Sequence, residues 1–371
     1  METKNIISLI LVIALVVGAI AYLEHAKPKH AASSANAAFV THDPSVQTKD
    51  YAQKSLEYHL AKELVHPDGY LNTPASTTIQ SFIGKKVILV DFWTYSCINC
   101  QRTLPYLTSW YGKYKDAGLV IIGVHTPEFD FEKNKDNVAM ALKKYGIDYP
   151  VVLDNEYATW DAYGNQYWPE HYLIDINGLV VDRHIGEGGY DDTEKLIQQL
   201  LAERKQVLGE TGEVPTGLVA PGEAIAAGSP ETYFGWSRNE FLGNGKQNTA
   251  GEQTLTRPAL VAPNTLFLTG TWNFAKESAT TVSADAGVIY SYDAKHVYLV
   301  ASSEKGAVVT VMRDGVPIGA SERGEDVDAQ GQVHIQEPRL YKLINEKEEG
   351  AHTIELRVQT PGLEAFTFTF G

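Results

Sequence analysis

Cysteine is nearly absent from this chain: 371 residues carry two, Cys97 and Cys100. Both fall in one short spacing, so none is left for a framework of structural disulfides, and cysteine usage fits either side of a membrane. The eleven histidines provide no His-x(3–5)-His pair at finger-like distance from the cysteines, which removes the two further ligands a zinc site needs. Positive charge is in deficit. Lys and Arg number 31 against 46 Asp and Glu, and a net charge of −15 argues against non-specific affinity for nucleic acid or anionic lipid. Internal repeats of 20 to 50 residues are missing as well, which sets repeat architectures aside.

The most informative stretch is VILVDFWTYSCINCQRTLP, residues 87–105, where a strand-like apolar run leads into a helix start carrying both cysteines. A helix N-terminus presents free N–H groups and the positive end of the helix dipole, which favours a thiolate, the form that attacks disulfides. Cys97 is placed to be the nucleophile. Cys100 lies almost one turn further in, within reach of a mixed disulfide at Cys97. Spacing alone leaves half a zinc site or a small structural bridge open. A bridge over so short a loop gains little, because loop-closure stabilisation grows with loop length.

Asp91 continues the apolar run Val87–Val90, six residues before Cys97, where a carboxylate is costly to ionise unless partnered. It is placed to take the proton that Cys100 must lose, with a strand-end Asp bonded to backbone as the plainer alternative. Pro105 falls inside the expected helix and bends it. Further on, Trp168-Pro169 precedes the strand-like Tyr172-Leu173-Ile174; a proline there cannot donate to the ladder, and the position fits a cis bond.

A strand ending Asp-Phe-Trp, Cys-x-x-Cys, a kink proline and a proline opening the next core strand together resemble the thioredoxin fold. The resemblance is collinear over about residues 60 to 205, through Val87–Pro105, Leu119–Val124, Val151–Leu153 and Pro169–Val181. Within it, Thr94-Tyr95-Ser96-Cys97-Ile98-Asn99-Cys100-Gln101-Arg102-Thr103-Leu104-Pro105-Tyr106-Leu107 is similar to the soluble redoxin or TlpA-like part of the DipZ family of cytochrome c biogenesis. The approach Gly69-Tyr70-Leu71-Asn72-Thr73-Pro74 fits the same part. The resemblance implies Cys97 as attacking thiol, Cys100 as resolving thiol, Asp91 as buried proton acceptor and Pro169 as the cis-proline beside them. Two positions depart from relatives: Ile98-Asn99 stands where thioredoxins carry Gly-Pro, and Thr103 where some cytochrome-maturation reductases carry an acid. Reduction potential and substrate choice stay open on that account.

Ile6–Leu23 is eighteen residues without a charge and, at about 1.5 Å per residue, nearly spans a hydrocarbon core. We read 1–24 as a membrane anchor. A signal peptide cleaved near Ala35-Asn36-Ala37 is the rival, although that site lies well beyond the apolar run. Lys4 on one side against Lys27 and Lys29 on the other sets orientation poorly. The extracytoplasmic, periplasmic-side placement at the cell membrane therefore rests on the resemblance. Small, polar residues 25–55 read as a flexible tether, 56–208 as the thioredoxin-like α/β domain and the Gly/Pro/Ala-rich 209–229 as a linker.

Residues 230–371 change to short alternating runs such as Ile354, Leu356, Val358 and Phe366, Phe368, Phe370, broken by turn signals such as Arg313-Asp314-Gly315. An all-β, two-sheet sandwich or jelly roll is expected. It resembles the carbohydrate-binding-module-like domain that follows thioredoxin modules in the DipZ family, and fold analogy alone does not imply sugar binding. Tyr233, Phe234, Trp236, Phe241, Trp272 and Phe274 read as core, with sugar stacking or docking on the redox domain as alternatives. Trp93, Tyr95 and Trp168 read as an apolar, substrate-holding lip around the dithiol. His125, Glu128 and His171 are lesser candidates for tuning the thiol.

The reading is a thiol–disulfide oxidoreductase acting on protein disulfides through a redox-active Cys97–Cys100 pair, in the reducing direction, with no metal or organic cofactor. Since a single anchor helix cannot carry electrons, a separate membrane electron-transfer protein of the CcdA or DsbD kind is implied. Two rivals are carried. One is a peroxide-reducing redoxin that passes through a sulfenic acid at Cys97. The other is a glycan- or partner-binding sandwich with a passenger redox domain.

Overall fold

The computed structural model describes residues 37–220 and 227–371. The proposed anchor and cleavage site lie outside the described residues, save Ala37. Among the described residues no helix is long and apolar enough to cross a membrane.

Six strands make the first sheet: β1 Gly69–Leu71, β2 Val87–Trp93, β3 Leu119–His125, β4 Val151–Leu153, β5 Glu170–Ile174 and β6 Val180–Ile185. Their order is β1-β4-β3-β2-β5-β6. The three central partners β2, β3 and β4 run parallel, while β1, β5 and β6 are antiparallel to their neighbours. Every residue of β2 and β3 is buried, which is why both are apolar throughout instead of alternating, apart from Asp91 and His125. Alternation still sorts their side chains: Val87, Leu89 and Trp93 enter one core and Ile88, Val90 and Phe92 the other. Asp91 shares the first face.

That first face is covered by helix α2 (Ile98–Tyr114), by α3 (Lys135–Tyr145) and by α5 (Tyr190–Leu208), through Leu104, Leu107 and Trp110, Val138 and Leu142, and Ile197 and Leu201. The helical spacing of these apolar residues sets which side each helix buries. The second face is covered by Trp160 of the short α4 (Ala158–Tyr163), by Ile79 and Ile83 between β1 and β2, and by Val40, Ala61 and Leu64 from the segment leading into the sheet.

That segment corrects the tether. In its described part, Val40 donates its backbone N–H to Ala61 at 2.9 Å, Thr48 meets Asn177 at 3.1 Å, and α1 (Tyr51–Glu57) is pinned by Lys54 on Glu203 at 2.7 Å. Scattered residues such as Val40 gave no periodic signal, so the stretch looked like solvent-exposed chain. The linker is corrected similarly. Glu210 pairs with Arg204, Val214 and Val219 pack on the core beside α2 and α5, and Lys113 reaches Gly217 O at 2.6 Å. Residues 221–226 lie outside the described residues.

Ten strands make the C-terminal part: β7 Thr232–Tyr233, β8 Gly251–Leu255, β9 Leu266–Phe274, β10 Ala279–Thr281, β11 Gly287–Ser302, β12 Ala307–Arg313, β13 Val316–Pro317, β14 Gln332–Ile335, β15 Arg339–Val358 and β16 Glu364–Phe370. The expected two sheets are hydrogen-bonded into one network. The long β11 pairs β9 through its first residues and β16 through its last, with β15 alongside both halves. Register shifts at Ala294/His296, Val297/Tyr298 and Val300/Ala301 mark irregularities in the β11 ladders, as bulges do when a strand turns from one layer into the next. A single core including Trp272, Tyr290, Leu299, Tyr341, Leu356 and Phe368 fills the interior.

The two parts meet. Ile98, Phe129, Tyr298, Val300, Leu340 and Phe366 form one buried cluster drawn from both, with Phe131 and Tyr233 at its edge. Phe366 lies 5.2 Å from Phe129 and 4.8 Å from Phe131, ring centre to ring centre. Around it, Glu128 accepts from Tyr233 Oη at 2.8 Å and from Arg238 at 2.9 Å, and Asp130 N donates to Glu277 at 2.9 Å.

Candidate active site

Cys97 is the N-cap of α2, and its Sγ accepts the backbone N–H of Cys100 at 3.4 Å. A sulfur in this position receives a helix-terminal donor that would otherwise be orphaned, and it sits at the positive end of the helix. Cys97 is half-buried and Cys100 fully buried, both as free cysteines. Burial pushes the Cys100 thiol well above its ordinary range, and the neighbouring Cys97 and the charge of Asp91 act in the same direction. The outer sulfur is therefore the reachable one, and the inner needs help to ionise. The helix runs on through Pro105.

Trp168-Pro169 is a cis peptide bond. It turns Trp168 O toward the dithiol, 3.8 Å from Cys97 Sγ. The Trp168 indole is fixed by donation to Thr126 O at 3.0 Å and by packing 4.2 Å from Trp160. Pro169 is buried and Tyr167 exposed beside it.

Asp91 is 1% exposed on β2, directly across the strand pair from His171 on β5. Its Oδ1 stands 3.0 Å from His171 Nε2. The contact is close enough for an ion pair but not aligned as a hydrogen bond, since both atoms lack a hydrogen-bond partner.

The lip is corrected for two of its three members. Trp93 is fully buried, because its place in β2 turns it under α2 onto the Asp91 face. Tyr95 is also buried, stacked on His125 at 5.7 Å and donating its hydroxyl to Pro338 O of the C-terminal part at 3.3 Å. Trp168 alone remains at the rim. Of the lesser candidates, burial drives His125 down to about 3, so it is a neutral plate behind Tyr95. Glu128 belongs to the contact between domains, and His171 joins Asp91.

Sequence reasoning missed Glu132. It is wholly buried in the short turn Asp130–Lys133, where Oε1 accepts from Ser96 Oγ at 2.6 Å and Oε2 from the backbone N–H of Glu128 at 2.6 Å and Phe129 at 3.0 Å. It ties the residue before Cys97 to the loop after β3. Burial pushes its carboxyl up to about 7 against those hydrogen bonds. The only cue was an acid between Phe131 and Lys133, and a lone loop carboxylate is ordinarily surface.

The two departures also acquire surroundings. Ile98 is buried against Tyr298, Val300 and Leu340. Asn99 accepts from Arg102 at 2.7 Å, and Arg102 also holds Glu187 through two contacts of 2.7 Å. Thr103 meets the Tyr190 hydroxyl at 3.0 Å. A cavity of about 540 Å³ opens between the domains, walled by Phe131, Phe366 and Pro338 and by Asp130, Glu277 and Glu304; it reaches neither cysteine. Phe234, Trp272 and Phe274 are core, Trp236 packs on that core and Tyr233 faces the redox domain. Among the described residues no cluster of His, Cys, Asp and Glu could hold a metal ion.

Residues 60–200 match the Redoxin family, and residues 229–371 match the family described as Thioredoxin like C-terminal domain. The chain is 39% identical over 314 residues to Protein DipZ of Mycobacterium tuberculosis and to that of Mycobacterium bovis. The match covers 84% of this chain and 43% of DipZ, so the chain spans less than half the length of these relatives. It is 29% identical over 141 residues to the thiol-disulfide oxidoreductase YkuV of Bacillus subtilis, covering 38% of this chain and 93% of that protein. With the thiol-disulfide oxidoreductase ResA of Halalkalibacterium halodurans it shares 31% over 126 residues, 34% of this chain and 66% of that one. The first domain is thioredoxin-like, of the thiol–disulfide oxidoreductase type, and a β-rich domain follows it.

Proposed function

We propose that this protein reduces protein disulfides on the extracytoplasmic side of a membrane, anchored through 1–24 and supplied with electrons by a separate membrane protein of the CcdA or DsbD kind. Cytochrome c maturation is the setting we favour, by analogy with the DipZ family. The observation that carries the reading is the arrangement at the head of α2: one half-buried sulfur capping the helix 3.8 Å from Trp168 O, and one buried sulfur behind it. This suits sequential attack and resolution.

In the first step the Cys97 thiolate attacks one sulfur of a substrate disulfide. A bond forms between Cys97 and that sulfur, and the other leaves as a thiolate. Trp168 O and the backbone beside Pro169 give an extended substrate segment something to lie against. In the second step Cys100 loses its proton to Asp91, its sulfur attacks Cys97 Sγ, and the second substrate thiolate leaves. Two electrons pass to the substrate, and Cys97–Cys100 becomes a disulfide that the membrane partner must reduce again.

Trapping tests this directly. Cys100→Ser should accumulate mixed disulfides with substrate proteins, and Cys97→Ser few. Equal trapping by the two variants would reverse the assignment. A peroxide-reducing enzyme would instead leave a sulfenic acid on Cys97 of the Cys100→Ser variant after peroxide treatment and trap no protein.

A further inference from the structure

Beneath the dithiol lie more buried polar atoms than the exchange chemistry uses. Both carboxylate oxygens of Asp91, His171 Nε2, Trp93 Nε1, the Tyr149 hydroxyl and His184 Nε2 are shielded from solvent without a hydrogen-bond partner among the described residues. Buried polar groups are satisfied in about nine cases of ten, and such a group in one place is where ordered water is held.

The atoms form a row across the sheet. Gly123 on β3 is the register partner of Asp91 on β2, Asp91 that of His171 on β5, and His171 that of His184 on β6. Gly123 leaves the row room: a Cβ there would lie 2.9 Å from Trp93 Nε1 and 3.3 Å from Tyr149. Asp91 and His171 are 3.0 Å apart, and the two imidazoles stack at 6.2 Å and 19°. The row begins under Cys100 and ends at the half-buried His184 on the edge strand. Nothing in attack or resolution needs the two histidines, yet Asp91 sits too deep to return a proton to solvent by itself.

We propose that His171 and His184 are the exit path for the proton that Asp91 takes from Cys100. The inference rests on the dithiol reading above. When Cys100 resolves the mixed disulfide, its S–H bond breaks and the proton joins the Asp91 carboxylate. Asp91 passes it to His171 Nε2, and water bridging the two rings passes one on to His184 and to bulk solvent. Asp91 returns to its carboxylate and both imidazoles to neutrality, with no reactant beyond dithiol and substrate. His171 touches neither substrate nor sulfur, so it is a positioning residue.

The titratable groups on this side of the sheet around His171 are Asp91 from β2, Cys97 and Cys100 from α2, and His184 and Asp182 from β6. Tyr149 stands before β4, Tyr190 opens α5, and the Arg102–Glu187 pair closes the rim. Among the described residues, Asp91 is the carboxylate in ion-pair range of His171, 3.0 Å from its Nε2.

The test is single-turnover resolution of a preformed mixed disulfide by the full chain across pH 5.5 to 8.5. His171→Gln should slow resolution at least ~10-fold near neutrality and change its pH profile, while the Cys97 attack step keeps its rate. His184→Ala should slow it in weak buffer only, with imidazole buffer restoring the rate. Wild-type profiles in both variants, with no buffer dependence, would overturn the path and leave the dithiol reading standing; a wild-type chain that resolves nothing would sink that reading instead. Should His171→Gln fail to fold, His184→Ala decides alone: a wild-type rate in weak buffer, unchanged by added imidazole, overturns the path.

Discussion

Asp91 and Glu132 are both buried carboxyls next to the active-site turn, and they are held in opposite ways. Asp91 has no aligned donor and faces His171, which suits a group that must accept a proton and give it up. Asp91→Asn should therefore slow resolution at neutral pH by ~10-fold or more with the fold intact, read as the lifetime of the mixed disulfide; an unchanged lifetime would make Asp91 structural. Glu132 is saturated with donors from Ser96, Glu128 and Phe129, yet burial carries it from 4.5 to about 7. Its folded value is above its unfolded one, so the stability it contributes is full below about pH 4.5 and is lost as pH rises through about 7. That difference corresponds to about 3 kcal/mol. Glu132→Gln does not titrate. Across pH 4.5 to 7.5 the gap between variant and wild type should move toward the variant by up to ~3 kcal/mol in denaturant unfolding, and a pH-independent gap would contradict this.

At the scale of elements, β2, the turn and α2 were legible because local pattern and local chemistry agree there: an apolar run, a cap position, a cysteine one turn on. The cis bond before Pro169 was legible for the same reason. What escaped depends on residues far apart in the chain. Trp93 was read as a lip because it lies near Cys97 in sequence, whereas strand alternation turns it inward with Asp91. Residues 25–55 were read as tether because a segment packed through single residues, as its described part is, has no period. Ile98 stood out in the sequence only as part of a departure from Gly-Pro that left the reduction potential open, and it is the point where α2 is pressed against β11 and β15. Ile98→Ala should cost about 2 kcal/mol or more, seen as a lowered unfolding midpoint and faster amide exchange over residues 94–100. Asn99→Ala loses one bond to Arg102 and should cost under about 1 kcal/mol; equal effects would deny the contact its role.

The molecule as a whole joins an exchange site to a β-rich domain that helps to build it. The C-terminal part buries Ile98, accepts the Tyr95 hydroxyl at Pro338 and holds Glu128 through Arg238 and Tyr233. The turn carrying Cys97 is thus fixed from both sides, by Glu132 within the redox domain and by Leu340 and Phe366 beyond it. Direction of electron flow is a property of that whole assembly, because the potential compares the folded chain with and without the Cys97–Cys100 bond. The most direct test is that potential, measured by equilibrating the protein with glutathione or dithiothreitol buffers and counting free thiols. A reducing couple near that of thioredoxin, about −270 mV, is expected. A value near about −120 mV, that of a strong disulfide donor, would contradict it.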